Sequence, residues 1–585
     1  MNSFEFNLRA CQPALPRPNT SPKFPTSNIF DLPLTNSPSP FKIQAWQEAL
    51  QGYPGELPII ITNILQYGCL LGYEGPRQLI LSRNLDTANN DPETMEKKIA
   101  DDLYQRRIIQ TETTPPTSPF MSAPLGFVPK PDGTWRRIHH LSHPPHRSTN
   151  DGIPLPARAI EYIRLSDVYA MVRQAGKGCT LLKKDIKDTF RNIPVAPSQQ
   201  WLLGFMWKGK YYKECCLPFG LATAPFIFNL FAEAFHWILQ SYLRTQHILH
   251  YLDDFIFALP ASETGPTEIK AFDKAYDEVT DALGIPRAEK KDATGTCITV
   301  LGIEIDTIHM VARLPSEKLI RAIQATTVAL AGTSISLELA EKLGGFLGFC
   351  AEVVQLGRVY MRYLWTFIAA YPPGAPKTLR RKIPPVVRSD LLWWKEMLPN
   401  FNGVRFLDET ARDIVHIYSD ASAKGMGAFF FYGPMSASDW RMTIESLPIT
   451  QAFSALVERN ADIEFNINAF ELAAIMLALQ RWAPSWRHHQ VVIHTDNFPS
   501  KEGLTRQTLK GEANAVLRKC LLEAAKFDIV ITPTWVAGSN NQLADAISRF
   551  DYTAIANWCP HWQTPYDSLL LRTTGYNIQE ITHLP

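Results

Sequence analysis

The stretch His247–Pro260, HILHYLDDFIFALP, decides how the first half of this chain is read. Two apolar runs flank a pair of adjacent aspartates, Asp253 and Asp254. That layout predicts a β-hairpin with both acids at its tight turn. Adjacent carboxylates repel, so at neutral pH they need a cation, solvent or protonation to coexist. A third acid, Asp185, closes the apolar run TLLKKD upstream. Strand-end carboxylates suit Mg2+, which takes oxygen ligands and prefers substrate phosphates in its shell. Two such ions can activate an attacking hydroxyl and stabilise the leaving oxygen of a phosphoryl transfer. Alone, an Asp-Asp pair reads as a solvated turn, so its surroundings have to decide.

Outward from the hairpin, the strand-like runs LGFVPK, CTLLKKDI and CITVLGIEID alternate with helical segments, which predicts an α+β domain between about Phe120 and Arg313. Upstream, the first forty residues hold eight prolines among Ser, Thr and Asn and are expected to be disordered. Residues 41–115 read as a helical extension, with a helix start at Asp91-Pro92-Glu93 and a boundary at TTPPTSPF. Downstream, residues 313–411 read as helical and are basic around KTLRRK, with Trp393 and Trp394 expected to pack. Strands and helices alternate again over 412–550, and the tail 551–585 carries no readable signal.

Length and composition set outer limits. At 585 residues, roughly three to four domains are expected. Hydrophobic residues at 45% and charged residues at 20% fit a globular chain. No apolar run approaches the ~18 residues a membrane span needs, and no secretory signal is expected at the start. The nine cysteines are scattered without a C-x-x-C pair, which argues against zinc and disulfides and suits an intracellular, cytoplasmic or nuclear, setting. A net charge of +1 decides nothing, because basic residues can line one channel.

Five motifs in order resemble the right-hand-shaped reverse transcriptases over roughly residues 120–307. FVPKPDGTWRRI is similar to their finger strands, LLKKDIKDTFRNIPV to the first palm motif and CLPFGLATAPFIFN to the second. YLDD matches the signature of the third, and VLGIEID the strand that grips the primer end. The resemblance implies fingers at 116–178, palm at 179–312 and thumb or connection at 313–411. It implies a metal-binding triad of Asp185, Asp253 and Asp254, with the Ile186 carbonyl as an added ligand. Lys130 and Arg136 would hold the triphosphate. Phe190 would lie beneath the sugar and exclude a ribose 2′-OH. Pro218, Phe219 and Gly220 would form the turn that carries backbone toward the nucleotide, although Phe219 stands where retroviral enzymes usually have glutamine. Lys290, or Lys291, would protonate the departing pyrophosphate.

A second set of acids lies in the C-terminal part. Asp420 ends the strand DIVHIYSD, Glu471 lies in the helical NAFELAAIMLALQRW, Asp496 follows VVIHT, and Asp545 lies in NNQLADAISR. Strand–helix–strand–helix order can bring four distant carboxylates to one sheet edge. This set resembles the ribonuclease H fold, whose acids hold two Mg2+ ions and cut RNA paired to DNA. Many relatives carry a histidine before the last aspartate; here Ser539 stands near that place in a short loop.

The segment IHHLSHPPHRSTNDGIP, with YGCLLGYEGP and LLWWKEMLPNFNG, resembles DIRS-type retrotransposons, which integrate with a tyrosine recombinase. His140 and Ser142 replace the usual aspartate and arginine of that segment. Its histidines 139, 140, 143 and 146 do not read as a metal site, since no cysteine lies near; some of them, and Arg147, would face nucleic acid. The expectation is an α+β right-hand polymerase followed by an α/β ribonuclease H-like domain. It would use two Mg2+ (or Mn2+) ions per centre on RNA template, DNA primer, RNA–DNA hybrid and dNTPs, with no membrane partner and a recombinase as a possible protein partner. The competing expectations are an inactive retroelement-derived nucleic-acid-binding protein and an RNA-dependent RNA polymerase; the second carboxylate set and Phe190 disfavour the latter.

Overall fold

The computed structural model describes residues 33–35, 38–111, 116–129, 133, 135–155, 159–263, 265–400, 404–407, 412–433, 450–457, 466–511, 513–558 and 570–576. The expected disorder of residues 1–40 and the boundary near Thr114 fall wholly or mostly outside these residues, as does Lys130. The chain divides into two compact units, one reaching Val300 with residues 306–309, the other formed by residues 301–305 and everything from Met310 onward.

In the first unit, a four-stranded antiparallel sheet runs in the order Ala293–Gly295, Thr180–Asp185, Asp254–Leu259, Ile248–Tyr251. Phe255, Ile256, Phe257 and Ala258 are all fully buried, so this strand is covered on both faces and its apolar run does not alternate. Phe228, Phe231 and Phe235 from helix Ala224–Tyr242 and Tyr276 from helix Pro266–Leu283 pack with Phe255 and Phe257 in one core. Helix Ile43–Ala49 joins the same core: Trp46 is buried and its Nε1 donates to Leu283 O at 3.1 Å. A five-stranded sheet and the separate hairpin Leu125–Pro129/Trp135–His139 complete the unit. Helix Pro92–Tyr104 starts where its cap residue directs: Asp91 accepts from Thr94 N at 3.1 Å.

In the second unit, helices Ser316–Ala331, Leu337–Cys350, Arg362–Ala369 and Pro385–Asn400 precede a six-stranded sheet. The basic stretch read as helical is instead a short strand, Arg380–Lys382, laddered antiparallel to Ser334–Ser336. Trp394 is fully buried, as a packing residue should be.

The sheet order is Val530–Trp535, Gln490–Thr495, Ile414–Ala421, Gly425–Tyr432, Gln451–Val457, Leu570–Tyr576. The first three strands are parallel, the next two antiparallel, and the last, from the unread tail, pairs parallel with Gln451–Val457. Strand alternation sorts the two faces. Val415 and Ile417 pack under helices Ile467–Trp482 and Ala513–Lys526, while Tyr418 packs with Leu543 and Ile547 of helix Gln542–Arg549. The expected α+β class, with helices packed on mixed sheets, is thus observed.

No helix among the described residues is long and apolar enough to cross a membrane.

Candidate functional site

The hairpin closes with a two-residue turn, because Tyr251 pairs with Asp254. Leu252 takes φ +53°, and Asp253 completes the turn. Asp254 is therefore the first residue of its strand, and it pairs on its other side with Asp185. Two of the acids, on neighbouring strands, and the third, in the turn, thus lie at one sheet end, although their oxygens do not form a trio as close as the one in the second unit. Ile186 takes part through its main chain, its N–H donating to Asp253 O at 3.1 Å.

Cations and a hydroxyl answer these acids. Lys291 Nζ lies 3.0 Å from both Asp185 oxygens, and Lys183 Nζ lies 3.7 Å from Asp254 Oδ1. Thr189 Oγ1 donates to Asp253 Oδ2 at 2.8 Å. Burial pushes the Asp185 carboxyl above its ordinary range, and Lys291 opposes the rise. Burial also raises Asp254, where Lys183 opposes and Asp253 adds repulsion. An all-oxygen donor set that is costly to ionise without a cation fits a hard divalent ion. Lys290 is exposed on the short turn Glu289–Lys291; the contact to Asp185 belongs to Lys291.

Around the acids, Phe190 is half-buried, its ring centroid 5.1 Å from that of Phe219 and 5.9 Å from that of Phe228. Phe219 itself is 38% exposed, which leaves one face of the aromatic pair open. Gly220 has φ +109°, and a Cβ there would sit 2.2 Å from His139 O, so no other residue fits this turn. Arg136 is exposed on the hairpin strand Trp135–His139. Sequence reasoning missed Asn150, which ties the site together. Its Nδ2 donates to Gly220 O and Ser142 Oγ, both at 2.9 Å, and its Oδ1 accepts from Ala222 N at 2.9 Å. Ser142, one of the two replaced positions, thus takes part in positioning the Gly220 turn. His139 is buried, with Nε2 3.0 Å from Gly204 O, and burial pushes it down to about 4.

Behind Phe190 lies a buried network of charges. Arg191 meets Glu214 at 2.7 Å and Asp102 at 3.3 Å; Arg137 meets Asp102 at 2.7 Å and Glu214 at 3.0 Å. Glu214 is fully buried, with both its oxygens turned to guanidinium groups. Removing its charge leaves Arg137 and Arg191 to share Asp102 alone. Glu214→Gln is expected to cost about 3–5 kcal/mol, the usual penalty for stranding one side of a buried pair. Hydrogen exchange in strands Lys210–Glu214 and Trp135–His139 measures this, and wild-type protection in the variant would refute it.

The second centre lies in the second unit. Asp420, Glu471 and Asp496 each offer a carboxylate oxygen within 4.8 Å of one another, and among the described residues this is the one trio of ligand-type side chains that does so. Asp420 sits near the end of its strand, Glu471 in the first turns of helix Ile467–Trp482, and Asp496 just past strand Gln490–Thr495. Every residue from Ala469 to Leu479 is buried, and Glu471 is the one charge among them. Its Oε2 has no hydrogen-bond partner.

Burial pushes Glu471 up to about 9, with repulsion from Asp420 and Asp496 adding to the rise. Asp420 is pushed up to about 6 by burial, although Ser548 Oγ donates to its Oδ2 at 2.6 Å. Asn541 donates to Ser419 O at 3.0 Å and also hydrogen-bonds Asp496, opposing that acid's own rise from burial. An unpartnered buried oxygen among three crowded carboxylates fits a divalent cation. Asp545 stands at the rim, with Oδ1 held by Arg549 Nε at 2.6 Å. Ser548 lies three residues beyond Asp545, a spacing that places both on one helix face and is readable in sequence. Asn541 carries no such signal.

Residues 128–305 match the family model described as Reverse transcriptase (RNA-dependent DNA polymerase). The Pro-Pol polyprotein of Simian foamy virus type 1 is 28% identical over 211 residues, which are 35% of this chain and 16% of that protein. The Gag-Pro-Pol polyprotein of Mason-Pfizer monkey virus is 27% identical over 215 residues, 35% of this chain and 11% of that protein. The matches therefore span a small part of those polyproteins. Among solved structures, the foamy viral protease–reverse transcriptase dRH in complex with double-stranded DNA aligns with TM-score 0.45 and 18% identity, over 85% of this chain and 82% of that one.

Proposed function

Since residues 128–305 form a reverse transcriptase domain related to that of retroviral Pol, we propose that the chain is an RNA- and DNA-directed DNA polymerase whose C-terminal part degrades the RNA of an RNA–DNA hybrid. The observation that carries this reading is the placement of Asp185, Asp253 and Asp254 at one sheet end, with a close carboxylate trio in the other unit. Mg2+, two ions per centre, would be held by Asp185, Asp253 and Asp254, and by Asp420, Glu471 and Asp496 with Asp545. When bound it would activate the attacking oxygen and stabilise the leaving one.

The chain's own residues do the rest. Arg136, with Lys130, holds the triphosphate, and the Gly220 turn allows backbone close to the nucleotide. Lys291 is the ammonium best placed to hand a proton toward the reacting phosphates. In the second centre, burial pushes the Glu471 carboxyl up to about 9, so a bound cation would favour its ionised form at neutral pH, which couples metal binding to loss of that proton. We further propose a retrotransposon origin of DIRS type, supported by the His140 and Ser142 replacements, with action inside the cell and other retroelement proteins, such as a recombinase, as partners.

Phe190 carries the choice of sugar. Phe190→Ala is expected to reduce discrimination between dNTP and rNTP by roughly 10- to 200-fold, the range a lost steric contact is worth. Single-nucleotide incorporation kinetics measure it, and unchanged discrimination would remove Phe190 from the site. The reading as a whole is tested by dNTP incorporation on a primed RNA template. No extension by folded protein would overturn it.

A further inference from the structure

Arg518 and Asp390 form a joint in the second unit that neither catalytic centre uses. Asp390, on helix Pro385–Asn400, is 1% exposed. Arg518, on helix Ala513–Lys526, grips it with two bonds, Nη1 to Oδ1 at 2.7 Å and Nη2 to Oδ2 at 3.0 Å. Nη2 also donates to Val359 O at 3.1 Å. The guanidinium carbon lies 4.6 Å from the ring centroids of both Tyr360 and Tyr363, and Tyr360 stacks on Trp393 at 3.8 Å with the rings 5° apart. Leu356 and Val359 share one buried core with Val415, Ile417, Val516 and Leu517 of the six-stranded sheet and its covering helix.

The same helix is tied on another side. Arg388, two residues before Asp390, donates to Leu330 O at 2.7 Å and Gly332 O at 3.1 Å, at the C-terminal end of helix Ser316–Ala331. Helix Pro385–Asn400 is therefore a bar fastened at one point to the Ser316–Ala331 helix and at another to the body that carries Asp420, Glu471 and Asp496. The basic strand Arg380–Lys382 belongs to the Ser316–Ala331 side, laddered to Ser334–Ser336.

This joint is a poor device for stability. Burial pushes Asp390 up to about 6 in spite of its guanidinium partner, so desolvation outweighs attraction. An apolar pair of similar volume would hold the fold as well or better. A planar guanidinium fixed by a bidentate carboxylate and two rings instead imposes one distance and one angle.

We infer that the Arg518–Asp390 joint is a positioning device: by holding the second carboxylate centre at one distance and angle from the Ser316–Ala331 side, whose basic strand Arg380–Lys382 would contact the duplex backbone, it sets the place on an RNA–DNA hybrid where that centre cuts. The inference rests on the nuclease function proposed above and goes beyond it in assigning the cleavage register to two residues outside the centre.

The test uses the full chain on a hybrid with a recessed DNA 3′ end, and maps the cut positions. Wild type is expected to give one dominant cut; Arg518→Met and Asp390→Asn are expected to give a ladder of cuts. The paired variant Arg518→Met/Asp390→Leu, in which no buried charge is stranded, is expected to unfold no earlier than wild type and still to cut in a ladder, which a merely structural role would not produce. In parallel, spin labels attached through unnatural amino acids at the exposed Thr327 and Lys526 report the distance across the joint. One narrow distance in wild type should broaden in the variants. A single cut and a narrow distance retained in the paired variant would overturn the inference, as would a ladder from wild type. Absence of cutting by wild type, with a distance that still broadens in the variants, would instead refute the nuclease function and leave the joint in place.

Discussion

Asp253→Asn is expected to lower nucleotide incorporation by roughly a thousandfold or more, with hybrid cleavage left at the wild-type rate. Asp253 occupies the turn, where its carboxylate accepts a hydrogen bond from Thr189 Oγ1 and its main-chain carbonyl accepts one from Ile186. Asparagine keeps the size and the hairpin but removes the charge that a divalent cation requires. Because the turn is otherwise satisfied through the main chain, the variant should fold, and the loss should appear in the rate rather than in the yield of protein. Extension of a primed RNA template, read beside cleavage of a labelled hybrid, checks both halves. Equal loss of both activities would mean that the two carboxylate sets do not act as separate centres, and undiminished extension would remove Asp253 from the chemistry.

Glu471→Gln is expected to have the opposite selectivity and an additional signature. Hybrid cleavage should fall by roughly a thousandfold or more while extension is unaffected. Without divalent cations, however, the variant should be the more stable protein at alkaline pH. Glu471 is pushed up to about 9 from an ordinary 4.5, and Asp420 to about 6 from 3.8, both chiefly by burial. The folded chain thus holds protons that the unfolded chain releases. That contribution is complete below the unfolded values, and it is lost as pH rises through about 6 for Asp420 and about 9 for Glu471.

The amide of the Glu471→Gln variant needs no proton to stay neutral, so the part of the loss that belongs to Glu471 disappears. In chelator, the wild-type Tm of this unit should fall between about pH 6 and about pH 9 more steeply than that of Glu471→Gln. The separation should be about 2–4 °C for each kcal/mol of relieved ionisation cost. Added Mg2+ should reverse the order by stabilising wild type alone. Parallel Tm curves in chelator would show that Glu471 is not held protonated by its surroundings.

Both carboxylate sets could be picked out in the sequence because each acid stands out against an apolar background. Asp253 and Asp254 interrupt an apolar run whose second half, Phe255–Ala258, is buried on both faces, and Glu471 is the one charge in a helix segment buried all round. Strand and helix periodicity then place each at an element's end or first turns, where a carboxylate can reach a neighbour. The residues that hold those acids in place lack such contrast. Asn150 sits in a polar loop among histidines and prolines, and only the return of the chain beneath Gly220 makes it a bridge. Asp102 and Glu214 are ordinary acids in sequence, and a network only because two strands and a helix converge on Arg191.

The boundary between units shows the same division. By pattern, residues 313–411 separate from the strand-rich part beyond them, since helical spacing gives way to strands at Ile414. In the folded chain they belong with the six-stranded sheet, because Leu356 and Val359 enter its core and Asp390 pairs with Arg518, 128 residues away. Likewise Lys290 and Lys291 are equivalent as letters, and only the turn Glu289–Lys291 directs the second onto Asp185. The sequence by itself determined which acids stand out and in what order they come, because charge in an apolar run and strand alternation are local properties. Tertiary structure alone decided which polar groups hold those acids in place, because their partners lie far along the chain and are chosen by how the elements pack.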